Sequence, residues 1–231
     1  MVVKYTDFWE ILGATQHREF ENKIESIILD KGAREEFYRN ILEKQPSLDT
    51  DTFKGYFELY NAERKSNQQD YTPDSVANLL ARFTSGSKTF GYNAYDATAG
   101  TGTLLITKWN HQRRQVSPFN YRPRDYFYRA DELADNAIPY LIHNLVMRGM
   151  NAIVCHGDSI ERKYKNIYFI FNSEDDHSKF SDVNIMPRSK DIEQEFNVTE
   201  WIGEEVKHIE SPLIDWNTVF GGSENGGENG K

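Results

Sequence analysis

The segment Asp96-Ala97-Thr98-Ala99-Gly100-Thr101-Gly102 constrains this chain most: an aromatic, strand-like run precedes it and an apolar helical pattern follows. Its two glycines let the backbone approach a ligand closely, and the helix beyond opens with free N–H groups. Such a strand–turn–helix unit belongs in an α/β sheet, and the rest of residues 67–219 keeps the alternation. Tyr92–Asp96 reads as a first strand with a helix from about Thr103. Tyr126–Asp131 reads as a second strand, with Glu132–Gly149 as its helix. Ala152–His156 is a third strand, and Ile167–Phe171 and Val183–Met186 are two further candidates. A glycine turn of this kind serves many nucleotides and also occurs as a plain tight turn. Its spacing matches neither GxGxxG nor a P-loop.

Residues 1 to about 66 read as a small helical region. Phe20, Ile24, Ile27 and Ile28 recur at helical spacing, Phe37, Ile41 and Leu42 repeat the pattern, and a third helix carries Phe53, Phe57 and Tyr60. A lid or docking surface is the natural expectation for this part. The tail 220–231 has no apolar residue after Phe220 and is expected to be disordered. No apolar run approaches the roughly 18 residues of a membrane helix, and the N-terminus carries no signal-peptide pattern. With the single cysteine Cys155, these features lead to the expectation of a cytoplasmic protein without disulfides. The net charge of −9 argues against strong unaided DNA binding, which draws on phosphate contacts, and leaves room for a basic partner.

Three strand ends converge on one ligand. Beyond the Asp96 turn, the second strand closes on Asp131-Glu132, where a carboxylate can accept from both ribose hydroxyls. The third closes on His156-Gly157-Asp158-Ser159, placing a carboxylate within reach of an adenine amino group. Open α/β sheets bind ligands at this edge. Upstream, Tyr71-Thr72-Pro73 precedes a helix, VANLLARF.

The order YTP, DATAGTGTLL, DELADNAIPYLIHNLVMRG, HGDSI resembles the modification subunits of type I restriction–modification systems and related adenine-N6 DNA methyltransferases, over roughly residues 55–190. The resemblance implies a Rossmann-like methyltransferase sheet with S-adenosylmethionine (SAM) as cofactor. Position by position, it implies that Tyr71, Thr72 and Pro73 contact the methionine part, and that Asp96, Ala97, Thr98, Gly100 and Gly102 form the loop beneath it. Glu132 would then hold the ribose, Leu133 pack on the adenine and Asp158 read its amino group. Ala97, Thr98 and Ala99 depart from the family's Pro-Ala-Cys with small residues, which should preserve the loop.

A larger departure lies downstream. The family's transfer motif, Asn/Asp-Pro-Pro-aromatic, accepts the adenine N–H groups and stacks the flipped base. It occurs nowhere in the chain. Met186-Pro187-Arg188-Ser189 in FSDVNIMPRS is the favoured equivalent, and Asn172 in IYFIFNSEDD the alternative. Either way the catalytic set is degraded. The short stretch after Ser189 leads to the expectation that no target-recognition domain is present and that sequence specificity would come from a partner subunit.

Lys108–Arg129 carries six Lys or Arg against one acid among aromatic residues. Arg113, Arg114, Arg122 and Arg124 are its candidate nucleic-acid contacts, with a solvated loop as the plain alternative. Cys155 reads as core, and the histidines show no metal-ligand spacing. The readings that remain are a SAM-dependent DNA methyltransferase or subunit, a non-catalytic SAM-binding module of that descent, and a methyltransferase for another substrate.

Overall fold

The computed structural model describes residues 5–60, 72–84 and 92–212. Tyr71 and the tail 220–231 lie outside the described residues. In chain order the elements are α1 (Tyr5–Ile11), α2 (His17–Ser26), α3 (Lys31–Lys44), α4 (Lys54–Tyr60), α5 (Asp74–Phe83), β1 (Ala94–Asp96) and α6 (Thr103–Arg113). There follow β2 (Tyr128–Glu132), α7 (Ile138–Met147), β3 (Ala152–Asp158), β4 (Lys163–Phe171), β5 (Asp182–Ile185), α8 (Lys190–Phe196) and β6 (Glu200–Trp201).

The expected alternation holds for the first half of the sheet. β1, β2 and β3 are adjacent and parallel, with Asp96 opposite Ala130 and Glu132 opposite His156. α6 and α7 make the two crossovers and pack on one face of the sheet in a common core. The second half departs from the expectation of crossover helices throughout. Only Ser159–Arg162 separate β3 from β4, too few for a crossover, so β4 turns back antiparallel to β3. β5 is antiparallel to β4 in turn, and β6 pairs with the start of β4. The result is a mixed α/β sheet in the order β1-β2-β3-β4-β5, compatible with a Rossmann-like fold. A bulge at His156/Gly157 starts the hairpin, and a Cβ on Gly157 would meet the Lys163 carbonyl oxygen at 2.1 Å. That glycine therefore has a local reason of its own, a backbone approach closed to any side chain.

Boundaries shift at several elements: β2 begins at Tyr128 rather than Tyr126, and β4 already at Lys163 rather than Ile167. The first strand is shorter than expected, beginning at Ala94. The helix after β2 begins at Ile138 rather than Glu132, since Glu132 is still paired to β3.

α7 is the central helix. Every residue from Ile138 to Met147 is buried, as suits a helix sandwiched between the sheet and a second helical layer. That layer is α1–α4. Phe8, Phe20, Ile24, Phe37, Ile41, Phe53 and Phe57 share one core with α7 and with Val154 and Ile170 of the sheet. The helical periodicity of residues 1 to about 66 is thus spent on a shared core. On the opposite face a smaller core forms under α8, from Ile153, Cys155, Ile167, Met186, Ile192 and Phe196. Among the described residues, no helix is long and apolar enough to cross a membrane, and no group of three His, Cys, Asp or Glu is placed to hold a metal.

Burying α7 on all sides forces its polar residues to find partners. His143 is fully buried; its Nε2–H donates to the Ile24 carbonyl at 2.7 Å and its Nδ1 accepts from the Tyr38 hydroxyl at 2.7 Å. Accepting from Tyr38 needs the neutral ring, and burial, against the Ile24 hydrogen bond, drives the pKa from 6.5 down to about 3. Between those values the unfolded chain binds a proton that the native chain refuses, so stability falls as pH drops below about 6.5. We expect His143→Gln to remove up to about 1.4 kcal/mol per pH unit from that slope. Urea unfolding of both proteins from pH 7 to pH 4.5 measures it, and an unchanged slope would assign the acid sensitivity elsewhere.

Candidate functional site

β1 ends at Asp96, whose Oδ1 accepts from the Thr98 N–H at 3.1 Å and turns the chain off the sheet. The Ala99 N–H donates to the Asp131 carbonyl at 3.0 Å, holding the loop against the end of β2. Gly100 has φ +56° and Gly102, which caps α6, has φ +95°, a region that glycine enters without strain. A Cβ on Gly100 would meet nothing within 4 Å, so the loop presents open space at that point. A Cβ on Gly102 would lie 2.9 Å from Leu141 Cδ1, so this glycine seats the loop on α7.

The alternation of β2 separates its two terminal carboxylates. Asp131 points to the α8 face, wholly buried, and accepts from Arg129 Nε at 2.9 Å and from the hydroxyls of Tyr164 and Tyr95 at 3.1 and 3.2 Å. Glu132 points to the loop. Its Oε2 accepts from the Gly100 N–H at 2.6 Å and its Oε1 from the Ala134 N–H at 2.7 Å. Burial raises the Glu132 pKa, and nearby Asp96 adds to this against the backbone hydrogen bonds. Burial likewise raises that of Asp96. At the end of β3, Asp158 accepts from the Ile160 and Glu161 N–H groups at 2.7 and 2.9 Å, which lowers its pKa. The Ser159 hydroxyl donates to the Ala97 carbonyl at 3.2 Å, tying the third strand end to the first. Asp96, Gly100, Glu132 and Asp158 therefore share one sheet edge. Two apolar side chains stand uncovered beside them, Leu133 at 64% exposure and Ile160 at 90%.

α5 forms the far wall. Pro73 stands at its N-terminus, and the Thr72 carbonyl accepts from Lys54 Nζ at 2.9 Å. Between α5, β1 and α6 lies a cavity of about 270 Å³ lined by Leu80, Ala81, Asp96, Ala97, Leu104 and Lys108.

The other candidates lie elsewhere. β5 is four strands from β1, about 19 Å at the usual strand spacing, so Met186, Pro187, Arg188 and Ser189 do not join the loop. Arg188 donates to the carbonyls of Lys165, Ile202, Gly203 and Glu204, and Ser189 caps α8. Asn172 follows an antiparallel strand, which carries it to the opposite edge of the sheet. There its buried side chain donates to the Gly149, Asp176 and Lys179 carbonyls. The strand order is the reason: β4 and β5 extend the sheet beyond β3 and do not return to β1. The basic segment also sits at that opposite edge, at the end of α6 and before β2. Asp49 holds Arg113 and Arg114, Asp175 holds Arg124 at 3.0 Å, and Arg122 is exposed.

Three contributors were not assigned a role from the sequence. Asp51 accepts from the hydroxyls of Thr101 and Thr103 at 2.5 and 2.7 Å, from Asn144 Nδ2 at 2.7 Å and from the Phe53 and Lys54 N–H groups at 3.0 Å. It clamps the glycine loop to α4 and α7. His156, beside the HGDS carboxylate, donates from Nε2 to Asp135 at 2.7 Å, and its buried Nδ1 has no hydrogen-bond partner among the described residues. Lys108 is the third, a buried lysine on the cavity wall. Only Thr101 and Thr103, inside the glycine segment, signalled in sequence that something would grip the loop.

No protein-family model and no curated protein matches the chain.

Asp51→Ala leaves two threonine hydroxyls, an amide and two backbone donors without their acceptor. We expect a loss of about 2–4 kcal/mol in urea unfolding. A loss below about 0.5 kcal/mol would show that the loop is held by other contacts.

Proposed function

We propose that this protein binds SAM or S-adenosylhomocysteine at the C-terminal edge of β1–β3, as a module of adenine-N6 DNA methyltransferase type that does not itself transfer the methyl group. The observation that carries the reading is the joint geometry of Gly100 and Glu132. A carboxylate at the end of the second parallel strand is braced by the amide of a glycine loop at the end of the first. Each Glu132 oxygen accepts one backbone bond and keeps a lone pair for a ribose hydroxyl. Leu133 and Ile160 offer apolar surface on which an adenine would lose water contact. The cavity beside Asp96 is the natural place for the methionyl part.

The second half of the reading rests on sheet order. Localising the adenine lone pair takes an acceptor side chain and a stacking ring next to the sulfonium. Met186–Ser189 stand four strands away, and Asn172 is committed to backbone carbonyls at the far edge. With Arg113, Arg114 and Arg124 already ion-paired, DNA engagement would depend on a partner subunit.

Calorimetry tests the binding step. S-adenosylhomocysteine should bind, and Gly100→Val should abolish the heat, because a branched residue at φ +56° both strains the loop and fills the open space above it. Absence of heat from the wild-type protein at millimolar ligand would end the proposal.

A tritium-methyl assay on mixed duplex and single-stranded DNA tests the second half. The chain alone should transfer little or no label, since losing an acceptor used in the transition state costs about 10²–10³ in rate. Turnover abolished by Asn172→Ala would overturn the assignment of that side chain to the fold.

A further inference from the structure

Lys108 stands on α6, one and a half turns from the glycine loop, and is 3% exposed. Its ammonium donates to the Thr84 carbonyl and to the Thr84 hydroxyl, the latter at 3.0 Å, at the C-terminal end of α5. Those two bonds use two of its three donors. Among the described residues no carboxylate reaches it, although the chain carries 36 acids against 27 bases. A buried ammonium is costly unless paired with an opposite charge, and helix-end carbonyls compensate only part of that cost. Burial accordingly lowers its pKa. The same side chain lines the cavity between α5, β1 and α6, and Asp96 lines it from the loop side. The cavity, about 270 Å³, thus holds one buried cation and one half-buried carboxylate with apolar walls of Ala77, Leu80, Ala81 and Leu104.

We propose that Lys108 is a specificity-determining residue that pairs with the carboxylate of an α-amino acid end of the ligand, with Asp96 facing its ammonium. The inference rests on the SAM reading and sharpens it. Affinity comes from both halves of the ligand, and the amino-acid half is selected by charge. A nucleoside thioether without the carboxylate offers Lys108 no opposite charge. The apolar walls accept the methylene chain between the charges, and the charge-assisted bond supplies discrimination rather than the bulk of the contact area.

Calorimetry with S-adenosylhomocysteine and with 5′-methylthioadenosine, which lacks the amino-acid end, tests this on the wild-type protein and on one variant. S-adenosylhomocysteine should bind at least about tenfold more tightly. Lys108→Met, which keeps the length of the side chain without its charge, should bring the two affinities within about threefold of each other. It should do so by weakening S-adenosylhomocysteine and leaving 5′-methylthioadenosine unchanged. If both ligands bind the wild-type protein equally, Lys108 has no such role and the adenosyl reading stands alone. If the variant weakens both alike, Lys108 supports the cavity wall and the proposal is equally overturned. If neither ligand binds, the adenosyl reading fails and takes this one with it.

Discussion

The Asp51 carboxylate is where the separate parts of this protein meet. One oxygen receives Asn144 and the first amides of α4; the other receives Thr101 and Thr103 of the glycine loop. One turn further along α7, Arg148 extends the same junction, donating to the Leu48 and Thr50 carbonyls, the Thr52 hydroxyl and the side chain of Asn144. A loop with two glycines in left-handed conformations has many alternatives open to it, and entropy favours them all. The clamp removes those alternatives. It explains why a helical layer without catalytic groups matters to the candidate site: residues 48–54 add a second anchor to a loop otherwise held only by the strand ends and α7.

The buried helix α7 makes the junction feasible and demanding at once. An apolar surface on all sides lets it pack between two layers, yet His143, Asn144 and Arg148 go into the same interior. Each is tolerated because partners arrive from elements far away in sequence: Ile24 and Tyr38 for His143, Asp51 for Asn144, and the 48–52 backbone for Arg148. Such a network favours one arrangement of the helical layer, since any slip leaves buried polar groups unmet.

On the other face, polarity is handled differently. Asp131 is enclosed by Arg129, Tyr95 and Tyr164, and the Arg129 guanidinium lies over the rings of Tyr95 and Phe196 at 5.0 and 5.3 Å. This saturates the first acid of the Asp131-Glu132 pair. Of that pair only Glu132 is left facing the glycine loop.

Residues legible in the sequence were those whose signal is local. The helical spacing of Phe20, Ile24 and Ile28 and the strand–turn–helix around Gly100 and Gly102 correspond to elements in the structure, because periodicity and glycine conformation are properties of a few neighbouring residues. The placing of Asp96, Glu132 and Asp158 along one edge also follows from the first three strands being parallel. What could not be read was everything decided by pairing across the sheet. IYFIFN and SDVNIM look like strands, but nothing in them says on which side of β3 they dock. Only the four-residue turn at Ser159–Arg162 and the bulge at Gly157 send β4 back antiparallel. That choice carries Asn172 to one end of the sheet and Met186 to its far side, away from the loop. Asp51 and Lys108 were invisible for the same reason. Their roles arise from groups tens of residues away, and a lone aspartate or lysine carries no trace of the partner that folding brings to it.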